Sequence, residues 1–148
     1  MDLTAGRLAA TIRDAQPADA EQLVELIAGL GFAIDASGAR DRIAKLARNN
    51  EPLLVAQIDQ CVIAALDWHL MHTIHRPSPV GRIAMLVVAP DRRGRGIGQA
   101  LVAEALRRMR EAGCEVVEVT SNDRLVEAHA FYTQLGFERT SQRFAKTL

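Results

Sequence analysis

The stretch VVAPDRRGRGIGQALV, residues 87–102, constrains the fold more than any other part of the chain. It places Gly94, Gly96 and Gly98 among three arginines, between an apolar run and an amphipathic one. A plain turn needs only one glycine or proline. A glycine-rich turn that leads into a helix presents free N–H groups and the positive end of the helix dipole to an anion, and arginines add charge-assisted hydrogen bonds. The stretch therefore predicts a strand, an anion-binding turn and a helix, in that order.

The spelling of this turn excludes two common phosphate-binding loops. A Rossmann GxGxxG beginning at Gly94 or Gly96 would need glycine in place of Gln99 or Leu101, and the GK[ST] of a Walker A loop does not occur. A flexible surface loop with solvated arginines is the alternative to an anion site.

Hydrophobic periodicity predicts ten elements, in the order β-α-α-β-β-β-α-β-α-β, which is typical of an α/β layer structure with a mixed sheet. The predicted ranges are 8–15, 17–32, 37–49, 52–59, 61–73, 81–90, 96–112, 115–121, 122–136 and 137–148. Each of the first three helices has apolar positions at helical spacing that should face the core. These positions are Leu23, Leu26, Ile27 and Leu30, then Ile43, Leu46 and Ala47, then Ile97, Leu101, Val102, Ala105 and Met109.

Composition bounds the class of protein. The 148 residues suit one domain, and 18 basic against 18 acidic residues give no net charge, which disfavours a nucleic-acid partner. No apolar run has the length of a membrane span, and MDLTAGRLAATIRD lacks the apolar core of a signal peptide. Cys61 and Cys114 are therefore expected to be reduced thiols. We expect a cytoplasmic protein with a small anionic ligand, no nucleic acid and no membrane.

Two motifs give the chain a family resemblance. Arg93, Gly96 and Gly98 match the R/Q-x-x-G-x-G/A signature of the GNAT superfamily of acetyl-CoA-dependent N-acetyltransferases. Residues 128–137 are similar to its C-terminal pattern A-x-x-F-Y-x-x-x-G-F, and the N-terminal third matches in general shape only. The resemblance implies a single GNAT N-acetyltransferase domain over residues 1–148, with a central mixed sheet, helices on both of its faces, and acetyl-CoA as co-substrate.

The resemblance also assigns residues to the cofactor. In the family the central strand is splayed by a bulge near its middle, which assigns the backbone of Leu86, Val87 and Val88 to the pantetheine arm and the thioester oxygen. The loop amides bind the pyrophosphate, which assigns Arg93, Gly94, Arg95, Gly96, Ile97, Gly98 and Gln99. Asn122 and His129 are further candidates for coenzyme contact. Asn122 could instead cap the following helix, and His129 could instead be solvated.

Tyr132, the only tyrosine, is the candidate general acid for the leaving thiolate. The alternative is a core tyrosine whose hydroxyl is satisfied elsewhere. The general base is open, because many family members carry an acid where this chain has Ala84 and Met85. The candidates for the base are Asp67, His69, Glu118 and Asp35, or a water relay.

His69, His72 and His75 would align for metal binding only on a helix, and the flanking sequence favours a strand, so no metal is expected. By resemblance, residues 32–36 and 68–82 line the acceptor site. The function expected is acetyl transfer to a primary amine of a small molecule by direct attack in a ternary complex. There are three alternatives. The acceptor could be a protein N-terminus or lysine, the chain could be a non-catalytic acyl-CoA sensor, or the three histidines could serve a metal-dependent hydrolase. The resemblance also implies that two copies of the chain can form a homodimer.

Overall fold

The computed structural model describes residues 9–148 and contains nine of the ten predicted elements in the predicted order. The strands are β1 (Thr11–Asp14), β2 (Leu54–Ile58), β3 (Cys61–Met71), β4 (Val80–Val88) and β5 (Val116–Val119). The helices are α1 (Ala20–Ala28), α2 (Ala36–Arg48), α3 (Ile97–Glu111) and α4 (Val126–Gln134). The strands form one sheet in the order β1-β2-β3-β4-β5, antiparallel except for the parallel pair β4–β5. The predicted mixed sheet is confirmed.

Local signals explain several element boundaries. A two-residue turn at Asp59 and Gln60 joins β2 to β3, and Asp59 has a φ of 54°, a conformation that aspartate tolerates better than most residues. The Asp35 carboxylate caps α2 by accepting the Gly38 N–H at 2.6 Å. Gly31 takes a φ of 89° just beyond α1, in the left-handed region that glycine enters at no steric cost.

The sheet has a core on each face, as the resemblance implies. α1 and α2 pack on one face around Leu23 and Ile43, and α3 packs on the other. All five apolar positions predicted for the α3 stripe are buried. Leu30 and Ala47 do not face the core as predicted. Leu30 lies past the end of α1, and Ala47 points to solvent in the last turn of α2.

The strand predicted at 137–148 is absent. Residues 138–148 are exposed, have no regular secondary structure, and pair with no strand among residues 9–148. Their composition favours a strand, but a strand also needs a neighbour for its backbone groups, and periodicity cannot supply one. Cys61 and Cys114 are both free thiols, as predicted. In the part of the chain that the structure describes, no helix is long and apolar enough to cross a membrane.

Candidate active site

A bulge interrupts β4 near its middle. Asp67 of β3 pairs with Met85, but Trp68 pairs with Ile83, so Ala84 is an extra, exposed residue on β4. β5 pairs with β4 only over Val80–Ile83, before the bulge. Within residues 9–148, the edge of β4 beyond Ala84 has no strand on its β5 side. The bulge expected from the family resemblance is therefore present.

The main-chain groups of this part of β4 alternate between β3 and the open edge. The N–H of Ala89 donates to the carbonyl of Ile63 at 2.8 Å, so Val87, two residues earlier, also faces β3. Leu86 and Val88 therefore turn their N–H and C=O groups toward the open edge. We call the open edge of β4 from Leu86 to Val88, together with the gap beside it, the β4 edge. The assignment of these residues to a cofactor stays a prediction.

The glycine-rich turn lies next to the β4 edge. Gly94 and Gly96 have φ values of 75° and 81°, and a Cβ on either would meet no atom within 4 Å. The turn is therefore open to solvent at the start of α3. Arg93 donates from Nε to the carbonyl of Val88 at 3.1 Å, which ties the turn to the strand.

The other predicted members of this turn differ in exposure. Arg95 and Gln99 are exposed, whereas the Ile97 side chain is buried in the core beneath α3. A Cβ on Gly98 would lie 3.4 Å from Phe131 Cζ, so α4 packs closely against the first turn of α3. The turn thus presents backbone N–H groups and two guanidinium groups, an arrangement suited to a phosphate.

Asn122 and His129 contact each other. His129 Nε2 lies 2.9 Å from the Asn122 carbonyl oxygen, and the Asn122 side chain accepts the Arg124 N–H at 3.0 Å. Asn122 does not cap α4, because that helix begins at Val126 with Leu125 in the capping position. The contact explains why the His129 ring is not simply solvated. Coenzyme contact by either residue stays a prediction.

Tyr132 is half-buried between two aromatic rings. Its ring meets Phe131 edge-on at 5.2 Å and Phe137 edge-on at 5.6 Å between centroids. Burial raises the pKa of the phenol, so the hydroxyl keeps its proton at neutral pH. Among residues 9–148 the hydroxyl has no hydrogen-bond partner within the chain. A protonated phenol without a hydrogen-bond partner is suited to proton donation. The role of Tyr132 as general acid stays a prediction.

On the face of the sheet that α1 and α2 cover, three side chains form a polar cluster. We call it the Asp67 cluster, and its members are Asp67, His69 and Glu51. His69 Nδ1 lies 3.1 Å from Glu51 Oε2, and His69 Nε2 lies 3.1 Å from Asp67 Oδ1. Glu51 also accepts the Leu70 N–H at 2.8 Å. Burial raises the pKa of Asp67, against a smaller lowering by His69. Although Asp67 Oδ1 is close to the imidazole, this buried oxygen makes no hydrogen bond in the described chain.

A cavity of about 100 Å³ opens above Asp67, between the sheet and the helices α1 and α2. Eight of its ten lining residues are apolar, among them Ile34 and Met85, and the two charged ones are Asp67 and Arg42. Ile34 belongs to the segment 32–36 that was predicted to line the acceptor site. Because Met85 lies opposite Asp67 at the bulge, the cavity and the β4 edge meet at one point of the sheet.

The other candidates for the base are occupied elsewhere. Asp35 caps α2, and the exposed Glu118 lies 3.4 Å from Arg82. His72 and His75 lie beyond the end of β3, apart from His69, and residues 9–148 contain no group of three or more His, Cys, Asp or Glu that could hold a metal ion. Sequence reasoning missed Glu51. Only the register of the β2–β3 hairpin brings Glu51 beside His69, and no local motif announces that contact.

Comparison with known proteins places this geometry in a family. The sequence pattern of the Acetyltransferase (GNAT) family matches residues 20–137. An aminoglycoside N(6')-acetyltransferase type 1 of Stenotrophomonas maltophilia is 32% identical over 139 residues, 90% of each chain. An aminoalkylphosphonate N-acetyltransferase of Salmonella typhimurium is 36% identical over 87 residues, which are 59% of this chain and 56% of that enzyme.

Among solved structures, the aminoglycoside N-acetyltransferase AAC(6')-Iy in complex with CoA superposes with a TM-score of 0.86 over 99% of both chains, at 19% identity. That likeness concerns the fold, and the sequence matches carry the family assignment. Signature turn, bulged central strand and family pattern agree: the chain belongs to the GNAT acetyltransferase family.

Proposed function

We propose that the protein transfers the acetyl group of acetyl-CoA to a primary amine of a small molecule, by direct attack within a ternary complex. The observation that carries the proposal is the position of the β4 edge, with an anion-binding turn at one end and the Asp67 cavity at the other. A donor held along this edge would present its thioester between the two.

The glycine-rich turn would hold the diphosphate of the donor. Its exposed N–H groups, the positive end of α3 and the guanidinium groups of Arg93 and Arg95 all favour a negative ligand there. The Leu86 and Val88 main-chain groups would pair with the pantetheine arm. An N–H aimed at the thioester oxygen also stabilises the charge that develops there, an effect commonly worth about 2.7–4 kcal/mol.

The Asp67 cluster would receive the acceptor. The unpartnered oxygen of Asp67 lacks a donor that an incoming ammonium group can supply, and the apolar walls suit a carbon chain behind it. The raised pKa makes Asp67 a stronger base than an exposed carboxylate, so it can take the proton that the amine must lose. Glu51 holds His69 through Nδ1 and keeps Nε2 beside Asp67, where the two groups can share that proton.

The transfer then balances as follows. The free amine nitrogen bonds to the thioester carbon, the carbon–sulfur bond breaks, and the electron pair leaves with sulfur. The ammonium gives up one proton through the Asp67 cluster to solvent before the attack, and the nitrogen gives up a second proton by the same route after it. Tyr132 gives its proton to the thiolate and regains one from solvent. The names of the two relatives, which describe enzymes acting on an aminoglycoside and on aminoalkylphosphonates, support a small-molecule amine as acceptor.

The test is an acetyl-transfer screen of the purified protein with acetyl-CoA and pooled primary amines. We expect free thiol to be released in the presence of at least one amine, and that amine to gain one acetyl group by mass spectrometry. Calorimetry separates the ways in which the proposal can fail. Binding of acetyl-CoA without turnover on any amine would favour the sensor alternative. No binding at millimolar concentration would overturn the proposal altogether.

A further inference from the structure

The cavity above Asp67 has one charged lining residue that the proposed reaction does not use, Arg42 of α2. Arg42 Nη1 would lie 3.4 Å from a Cβ placed on Gly38, so the guanidinium group turns back along α2 toward its first turn. The same Cβ would lie 3.8 Å from Ile34 Cγ1, and Ile34 also lines the cavity. The guanidinium group therefore lies on the helix side of the cavity, whereas Asp67 lies on the sheet side.

The positive charge of Arg42 is not balanced within the described part of the chain. Among residues 9–148 Arg42 forms no ion pair, whereas Arg40 on the same helix pairs with Glu21 of α1 at 2.8 Å. The Asp35 carboxylate is close to Arg42, but it accepts the Gly38 N–H at 2.6 Å and forms no ion pair with the guanidinium group. The guanidinium group is therefore available to a ligand.

The two charges in the cavity restrict the acceptor. An ammonium group at Asp67 and an anion at Arg42 would leave the filled cavity without net charge. One guanidinium group balances one negative charge, and its planar fork matches a carboxylate with two parallel hydrogen bonds. A diamine would instead bring a second positive charge beside Arg42. The charges therefore favour an acceptor that carries both an amine and a carboxylate.

The size and the lining of the cavity restrict what joins those two groups. The volume of about 100 Å³ is below the roughly 300–1,000 Å³ of pockets that enclose drug-sized ligands. The other eight lining residues are apolar. Burying hydroxyl groups against apolar walls without hydrogen bonds costs free energy, whereas burying methylene groups there is favourable. The cavity therefore suits a short, unsubstituted carbon chain.

We propose that the acceptor is a small amino acid with its amine and its carboxylate at opposite ends of a short carbon chain. The amine would lie at Asp67, where the cavity meets the β4 edge, and the carboxylate would lie at Arg42, which is exposed at the helix side. Arg42 would thus determine specificity without contacting the reacting atoms. This inference rests on the proposed function, because it assigns the acceptor of that reaction.

Acetyl transfer to matched pairs of amines tests the inference. The acceptors are β-alanine, γ-aminobutyrate and δ-aminovalerate, each compared with its primary amide, which keeps the amine and the chain but lacks the negative charge. We expect kcat/KM of the wild type to be about 10- to 100-fold higher for at least one acid than for its amide, as for one charge-assisted hydrogen bond. Arg42→Gln should lose this preference. The control Arg48→Gln, an exposed change on α2 outside the cavity, should keep it.

Charge reversal produces a gain that a folding defect cannot imitate. Arg42→Glu should prefer cadaverine to δ-aminovalerate, the opposite of the wild type. Calorimetry of the acids and amides, with and without CoA, measures binding apart from turnover. If no amine is acetylated, the proposed function fails, but binding of an acid that Arg42→Gln abolishes would still support this site. Equal kcat/KM and equal affinity for acids and amides, no binding of any acid, or a preference that persists in Arg42→Gln would overturn the inference. Acetylation of other amines would then leave the proposed function standing.

Discussion

Asp67 is a residue whose surroundings oppose its charge. It sits under an apolar cavity with one oxygen unpartnered, and burial raises its pKa. A carboxyl whose pKa is higher in the folded chain than in the unfolded chain binds its proton more tightly when folded. Its contribution to the stability is complete only below the pKa of the unfolded chain, near 3.8. The contribution is lost as the pH rises through the pKa of the folded chain. At neutral pH the chain therefore keeps a residue that costs stability, a pattern typical of functional sites.

Replacing Asp67 with Asn should have opposite effects on activity and stability. Loss of the base should lower kcat by about 10²-fold or more. At neutral pH the melting temperature should rise, by about 2–4 °C if the relief is about 1 kcal/mol, and this gain should vanish below pH 4. Turnover assays and thermal denaturation between pH 3 and pH 8 check both effects. The control Asp59→Asn, in the exposed β2–β3 turn, should change neither; an Asp67→Asn enzyme of full activity would exclude this base.

The hydroxyl of Tyr132 should matter for turnover and not for binding. Tyr132→Phe keeps the ring between Phe131 and Phe137, so the packing of α4 should persist. We expect kcat to fall by about 10²–10⁴-fold while the calorimetric Kd for acetyl-CoA stays within a factor of about two. A matched loss of affinity would instead indicate that the phenol holds the donor.

At the scale of the helices and strands, the sequence correctly predicts the features that depend on residues close together along the chain. The α3 stripe and the β2–β3 turn follow from helical spacing and from two turn residues. The failures depend on contacts between distant residues. Glu51 meets His69 through hairpin register, and the strand expected at the C-terminus needed an edge to pair with. For the same reason the sequence narrows the candidates for the general base to four residues and does not select one of them.

The turn before α3 allows a test in which strain and binding are separated. Gly96→Ala forces a side chain into a left-handed conformation, at a cost of about 1–2 kcal/mol, and should also raise the KM for acetyl-CoA by crowding the N–H groups. Gly31→Ala is the matched control, because Gly31 has a φ of 89° and equally open surroundings. Chemical denaturation should show similar losses for both, with a changed KM for Gly96→Ala alone. Equal KM values would remove this turn from donor binding.

For the whole molecule, stability should fall in acid. The Arg13 guanidinium lowers the pKa of the Asp19 carboxyl, and Arg107 with Arg108 lowers the pKa of Glu104 to about 2. Carboxyls with lowered folded pKa values stabilise the fold above their unfolded pKa values, 3.8 and 4.5 here, and lose that contribution as the pH falls through the folded values.

Melting temperatures measured from pH 7 to pH 2 check this dependence. We expect the steepest fall of the wild type below about pH 4.5, the unfolded pKa of Glu104. Asp19→Asn removes a charged partner from Arg13 and should cost about 1.5–3 kcal/mol at neutral pH, with a shallower fall in acid. Glu25→Gln, an exposed change on α1, is the control and should follow the wild type. An Asp19→Asn curve parallel to that of the wild type would contradict the role of this ion pair.

The gap beside β4 links the cohesion of the sheet to its ligand. Before the bulge β4 is bonded on both edges, and beyond it on one edge only. Under the proposed function, the pantetheine arm would form main-chain hydrogen bonds with this open edge of β4, as a neighbouring strand would. The donor would then stabilise the sheet as well as take part in the reaction. The free energy by which a ligand stabilises the folded state grows as RT ln(1 + [L]/Kd). The enzyme without its donor would therefore be the form that proteases cleave most readily. Slower amide exchange at Leu86 and Val88 on adding the donor would register this coupling directly.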